Sequence, residues 1–132
     1  MLGHHVAQLR LVFRTVPHRR APFHPCSSLF LCYAQRFDII PQLVQGSPTR
    51  RGPNVESTTG MYILKRAKRH DGTILGDVVP LSSVRALASL IPRFGKAAEK
   101  RLTKESSLEN SLEFRLNKYI NKEFFYALNS TK

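Results

Sequence analysis

The side chains of this chain whose types could do chemistry are few. The acids Asp38, Asp71 and Asp77 could in principle hold Mg²⁺ for phosphodiester cleavage, in which the metal clamps the attacking and leaving oxygens. Asp71, however, is followed by Gly72 and has the role of a turn residue, and Asp38 falls at a strand end. His18, His24, Cys26 and Cys32 are of zinc-ligand type, yet their spacing fits no finger or knuckle, so Cys32 reads as a small core residue and the histidines as loop decoration. No serine lies in a nucleophile-elbow context, neither cysteine has a recognisable catalytic base, and no glycine-rich phosphate cradle is present. The expectation is a chain without catalytic activity, bound metal, cofactor or small-molecule substrate.

What the sequence does carry is charge. Lys and Arg number 21 against 9 Asp and Glu, a formal net charge of +12 in 132 residues. The excess is uneven: residues 1–104 hold 17 cations and 5 acids, whereas residues 105–132 hold four of each. Lys65, Arg66, Lys68, Arg69 and His70 form the densest run, and Arg50, Arg51, Arg85 and Arg93, with Lys96, Lys100, Arg101 and Lys104, could extend it if the fold gathers them. Cations of this kind neutralise phosphates and release condensed counterions, which gives salt-sensitive contact with DNA or RNA without sequence readout. The competing reading is a solvated surface, or a nuclear import signal in Lys65 to Arg69. The aromatic and glycine signature of common RNA-recognition modules is missing, so base-specific readout is not expected.

Elements must position these charges. Val6 to Val16 alternates, with Ala7, Leu9, Leu11 and Phe13 on one side and Gln8, Arg10 and Arg14 on the other, the pattern of a half-buried strand. Pro17 to Pro25 holds three prolines and predicts a loop, Leu29 to Ile40 a second strand ending at Pro41, and Gln45 to Thr59 an exposed loop. Met61–His70 and Thr73–Val79 flank Asp71-Gly72, a tight hairpin turn, with Gly76 a place for a bulge or bend in the second arm. Lys65 and Arg69 then share one face of the first arm and Arg66 and Lys68 the other, so that end of the arm should project into solvent. Val84–Ile91, closed by Pro92, predicts a fifth strand, with a helical turn as the alternative.

From Ser106 the period changes. Ser106 and Glu109 fit a capping box, and Leu108, Leu112, Leu116, Tyr119, Ile120 and Phe124 recur at spacings of three and four, predicting one amphipathic helix over 106–128. Phe114 and Phe125 lie off that stripe, eleven residues apart and nearly in line, and offer a second contact surface for a protein partner. The fold expected is α+β: a single domain with a basic β-rich body over 6–94, a connector over 95–105 and the helix over 106–128. The body is a small, strongly curved antiparallel sheet or barrel of about five strands.

At this length a fold buries roughly two-thirds of the surface its unfolded chain exposes, and 42% hydrophobic residues suffice for one core. No apolar run approaches the ~20 residues of a membrane span, and Arg10 and Arg14 interrupt any secretory h-region, so a soluble chain without membrane partners is expected. An acid-free, Arg-bearing start leaves a mitochondrial presequence as an alternative. Two cysteines make no disulfide framework.

From Gly76-Asp77-Val78-Val79-Pro80-Leu81-Ser82-Ser83-Val84-Arg85 onward the sequence resembles the C-terminal region of Plavaka-type transposases, encoded by CACTA-like DNA transposons of basidiomycete fungi. The resemblance continues through Pro92-Arg93-Phe94-Gly95, Arg101-Leu102-Thr103-Lys104, Ser107-Leu108-Glu109, Glu113-Phe114, Leu116-Asn117-Lys118-Tyr119 and Lys122 to Leu128. Upstream, Ala7 to Phe13, Tyr33 to Gln42 and Gly60 to Ala67 are similar too, so that it covers about Val6 to Leu128. It implies a tail segment: in that family the RNase H-like catalytic region lies far upstream, and no catalytic residue carries over. Arg115 stands where the resemblance implies an aromatic, usually Trp, and Ile120 where it implies Phe. A guanidinium in place of a buried ring would cost about 3 kcal/mol or more.

The leading expectation is thus a non-catalytic, transposase-like module in the nucleus, or alternatively the cytoplasm, touching nucleic acid through Arg50, Arg51, Lys65, Arg66, Lys68, Arg69, Arg85 and Arg93. Its further partner would be the parent transposase or another protein. The alternatives are a protein-interaction module working through Phe114 and Phe125, and a non-functional transposon remnant.

Overall fold

The structure, a computed structural model, describes residues 5–16, 29–94 and 101–129. The expected loop at 17–25, the His18, His24 and Cys26 of the zinc reading, and Lys96 and Lys100 lie outside the described residues.

Among the described residues eight strands and two helices follow in order: β1 (Val6–Phe13), β2 (Leu31–Ile39), β3 (Pro41–Leu43), β4 (Arg51–Pro53), β5 (Tyr62–Arg66), β6 (Gly76–Pro80), a 3-10 turn (Leu81–Ser83), β7 (Ser89–Pro92), α1 (Lys104–Asn110), β8 (Glu113–Asn117) and α2 (Lys122–Asn129). The main sheet is antiparallel throughout and runs β1-β2-β5-β8-β7, a curled five-strand half-barrel, with β6 paired to the remaining length of β2. The α+β class and the small curved antiparallel sheet are as the sequence predicts.

Pairing of β2 explains the hairpin. Phe37–Ile39 pair with β5 and Leu31–Gln35 with β6, so the two arms lie end to end along β2 instead of against each other. Residues 67–75 form a short finger, rooted on β2 where Ala67 N–H donates to the Arg36 carbonyl and Arg36 N–H to the Leu75 carbonyl, closed by the Lys68–Ile74 bridge and turned at Asp71-Gly72, where Gly72 has φ +85°. Gly76 makes no bulge: it pairs regularly with Gln35, and the Tyr33 ring lies where a Cβ would stand. β1 carries the irregularity instead. Leu9 pairs with Ala34 and Leu11 with Tyr33, leaving Arg10 as the extra residue of a bulge. The strand therefore changes face midway, and the expected alternation of four apolar residues on one side does not hold: Val6 reaches the core, while Leu9 and Leu11 are exposed on an edge strand.

The expected loop 45–59 contains β4, which folds back on β3. The fifth strand predicted at 84–91 is β7, set later at Ser89–Pro92; the helical-turn alternative for 84–91 is not realised, and the 3-10 turn lies ahead of that segment at Leu81–Ser83.

The largest departure is C-terminal. The single helix over 106–128 is in fact helix, strand and helix. β8 inserts between β5 and β7, pairing Tyr62 with Leu116, Leu64 with Phe114 and Leu90 with Leu116. Residues 113–117 satisfy both periods, and alternation wins because Phe114 and Leu116 then bury on one face with strand partners on both sides. The body expected to end at 94 is completed by this later strand. Helix α1 is capped by Thr103, not Ser106: Ser106 N–H donates to the Thr103 hydroxyl while Thr103 N–H donates to the Ser106 hydroxyl. α2 is capped by Asn121, which stands just before its first residue and whose side chain accepts from Phe124 N–H at 2.7 Å.

The core is Phe37, Leu64, Phe114 and Leu116, with Phe37 and Phe114 edge to face at 5.2 Å. Leu108 of α1 and Phe124 and Leu128 of α2 close the concave side. Arg66, expected on a solvent-exposed face, is buried among them. Its guanidinium sits 5.0 Å from the Phe37 ring centroid and donates to the Leu108 carbonyl at 2.7 Å and to Gln8 at 2.9 Å.

Candidate nucleic-acid interface

The finger 67–75 presents cations because its turn is self-contained. Asp71 accepts from Thr73 N–H at 2.9 Å and the Thr73 hydroxyl at 2.6 Å, and these bonds hold its carboxyl below the usual range. Backbone bonds from Arg69 N–H to Thr73 and from Gly72 N–H to Arg69 complete the loop. Lys68, Arg69 and His70 stand exposed at the tip, and none of them forms an ion pair among the described residues. Arg50 and Arg51 make a second exposed pair, on the β3–β4 hairpin.

The other candidates are placed differently. Lys65 is exposed but lies between Asp38 and Glu113 in the strand register, on the sheet face opposite the core. That face is a lattice of opposite charges. Arg36 approaches Asp38 at 3.5 Å, Arg93 pairs with Glu113 at 2.7 Å, and Arg115 clamps Glu56 with three bonds of 2.8–3.0 Å. Four cations there meet three carboxylates, so Lys65 and Arg93 belong to a nearly neutral surface. Arg85 follows the 3-10 turn near the Leu31 end of β2, whereas β3–β4 continues from the Ile39 end, about 26 Å away at ~3.3 Å per residue. The fold does not gather the eight cations; it keeps Lys68 with Arg69, and Arg50 with Arg51, as two exposed pairs.

Arg115 corrects another expectation. Its strand position points it away from the core, where the Glu56 carboxylate receives it, so the guanidinium takes no core site. The Arg115 bonds, with one from the Thr59 hydroxyl, hold Glu56 below its ordinary value of 4.5. Bonds from Arg10 and then Gln8 do the same for Glu109. A carboxyl with a depressed folded-state pKa contributes stability that is complete above its unfolded value and is lost as pH falls through the folded one. Chemical denaturation across pH should therefore show stability flat above about pH 5 and declining below about 4.5, with the acid slope reduced in Glu56→Gln and Glu109→Gln. An unchanged slope in both variants would refute this assignment.

Phe114, a candidate partner-contact residue, is fully buried and belongs to the core. Phe125 is half-buried and enters a cluster the sequence did not reveal. Its ring stacks on Tyr119 at 5.8 Å and meets Tyr126 edge-on at 5.7 Å, and Lys118 Nζ lies 5.4 and 5.8 Å from the Tyr119 and Phe125 centroids. The available signal was Asn117 and Asn121, which flank the turn between β8 and α2; Asn117 accepts from Tyr119 N–H at 3.1 Å.

Among the described residues no three His, Cys, Asp or Glu side chains gather as a metal site, and no helix is long and apolar enough to cross a membrane. Comparison with the curated proteins and with the solved structures finds no match to this chain. A family model described as a domain of unknown function, DUF6830, matches residues 1–55, the stretch that contains β1 to β4.

Proposed function

We propose that this chain is a non-catalytic, transposase-like module that contacts nucleic acid through its backbone phosphates, without reading sequence. The observation that carries the proposal is the finger 67–75, whose Lys68 and Arg69 stand exposed with no ion pair among the described residues, Asp71 of the turn being the acid near Arg69, on a chain of net charge +12. Arg50 and Arg51 add a second phosphate contact. Support for a non-catalytic role comes from the acids: Asp38, Glu56, Glu109 and Glu113 pair with arginines, and Asp71 closes a turn. The transposase-like origin rests on the resemblance over Val6 to Leu128, and a place in the nucleus follows from that origin.

A salt titration of binding to an arbitrary duplex tests this. Log affinity should fall linearly with log salt, and Lys68→Ala/Arg69→Ala should lower the slope by about 2 and weaken all sequences alike. No binding at low salt, or affinity indifferent to salt, overturns the proposal. An upstream reading frame with the catalytic region, or flanking terminal inverted repeats, would test the origin.

A further inference from the structure

The outer side of the β8–α2 corner combines rings and cations. Tyr119 is 55% exposed and Tyr126 66%, yet both are held: Tyr119 stacks on Phe125 and donates its hydroxyl to the Thr59 carbonyl at 3.0 Å, and Tyr126 meets the same Phe125 edge-on. Phe124 and Leu128 take the core-facing side of α2, leaving Lys122 and Tyr126, four apart, as neighbours on the outer side. Lys118 flanks the stack from the turn. Glu123, one turn before Tyr126, is the opposing charge nearby.

We infer that this corner is a stacking platform for single-stranded nucleic acid. The inference rests on the nucleic-acid reading above and names the form of polymer it favours. Unpaired bases offer π-faces that a duplex hides, and every base has one, so rings fixed beside cations bind a single strand without sequence preference. Lys118 and Lys122 complement the phosphates on either side of a stacked base; an uncharged protein surface would gain nothing from them. A second copy of the chain, itself strongly basic, is the less complementary occupant.

The test uses the full chain with labelled oligomers of thymidine and of uridine, about 20 nucleotides each, and a duplex of equal length, at low salt. Single strands should bind more tightly than duplex. Tyr126→Leu should weaken both single-strand oligomers roughly ten-fold and leave the duplex unchanged, while Tyr126→Phe restores binding. With no Trp in the chain, quenching of tyrosine emission by the thymidine oligomer reports stacking directly. A thermal melt of Tyr126→Leu equal to wild type shows that the loss is not unfolding. Equal weakening of duplex and single strand, or none, overturns the platform and leaves the basic-surface reading intact. Loss of self-association in Tyr126→Leu with unchanged oligomer binding assigns the corner to a second copy and also overturns it. Failure of every nucleic acid to bind overturns both readings.

Discussion

Phe114→Ala should destabilise the protein by about 3–5 kcal/mol, a large part of the net stability of a domain this size. Phe114 is fully buried, packs edge to face on Phe37, and stands on β8 between Leu64 and Pro92 of the flanking strands. Its removal opens a cavity where two strands and both covering helices meet, and a strand pinned on two sides cannot collapse into it. Urea denaturation of wild type and variant measures the difference. The comparison with Phe125→Ala is the discriminating one: Phe125 is half-buried at the corner, so its loss should cost only about 1 kcal/mol. On a single helix over 106–128 the two phenylalanines would lie nearly in line and respond alike. Equal effects would therefore count against β8 and for the helix.

That comparison marks where the sequence was legible. β1, β2 and the Asp71-Gly72 turn depend on alternation and on the left-handed preference of glycine, both local properties. The stretch 106–128 carried two periods at once. Leu108, Leu112, Leu116 and Phe124 fit a helix, whereas Phe114 and Leu116 between Glu113, Arg115 and Asn117 fit a strand, and the open edges of β5 and β7 decided between them. The same division holds for the site. Lys68 and Arg69 were legible because a turn exposes its neighbours whatever surrounds it. Arg66 was not: its burial depends on Gln8, Leu108 and Phe37, which are distant in sequence. Arg93 was not either, because Glu113 reaches it across a strand pair that local patterning did not predict.

Arg66 is the second residue whose replacement should have a large effect, and the kind of replacement matters. The side chain is 8% exposed, its planar group lies over Phe37 and near Phe114, and it ties three elements together through Gln8 of β1, the Leu108 carbonyl of α1 and, at 3.8 Å, Glu109. Glu109 is itself shared with Arg10 across the β1 bulge at 2.5 Å, so the clasp fastens α1 to the edge strand as well as to the core. Burial lowers the Arg66 pKa and Glu109 opposes that shift. Arg66→Ala removes packing and bonds together and should cost about 3 kcal/mol. Arg66→Met keeps most of the volume and abolishes a buried charge whose Nε has no hydrogen-bond partner among the described residues, so it should recover most of that loss. It cannot donate to Leu108, however. Amide exchange should therefore rise selectively in α1 of the methionine variant while β5 and β8 stay protected. Arg66→Lys should fall between the two, because an ammonium cannot stack on Phe37 and span both acceptors as the planar fork does. Uniform exchange across α1 and the central strands in Arg66→Met would mean that Arg66 serves the core alone and that something else holds the helix.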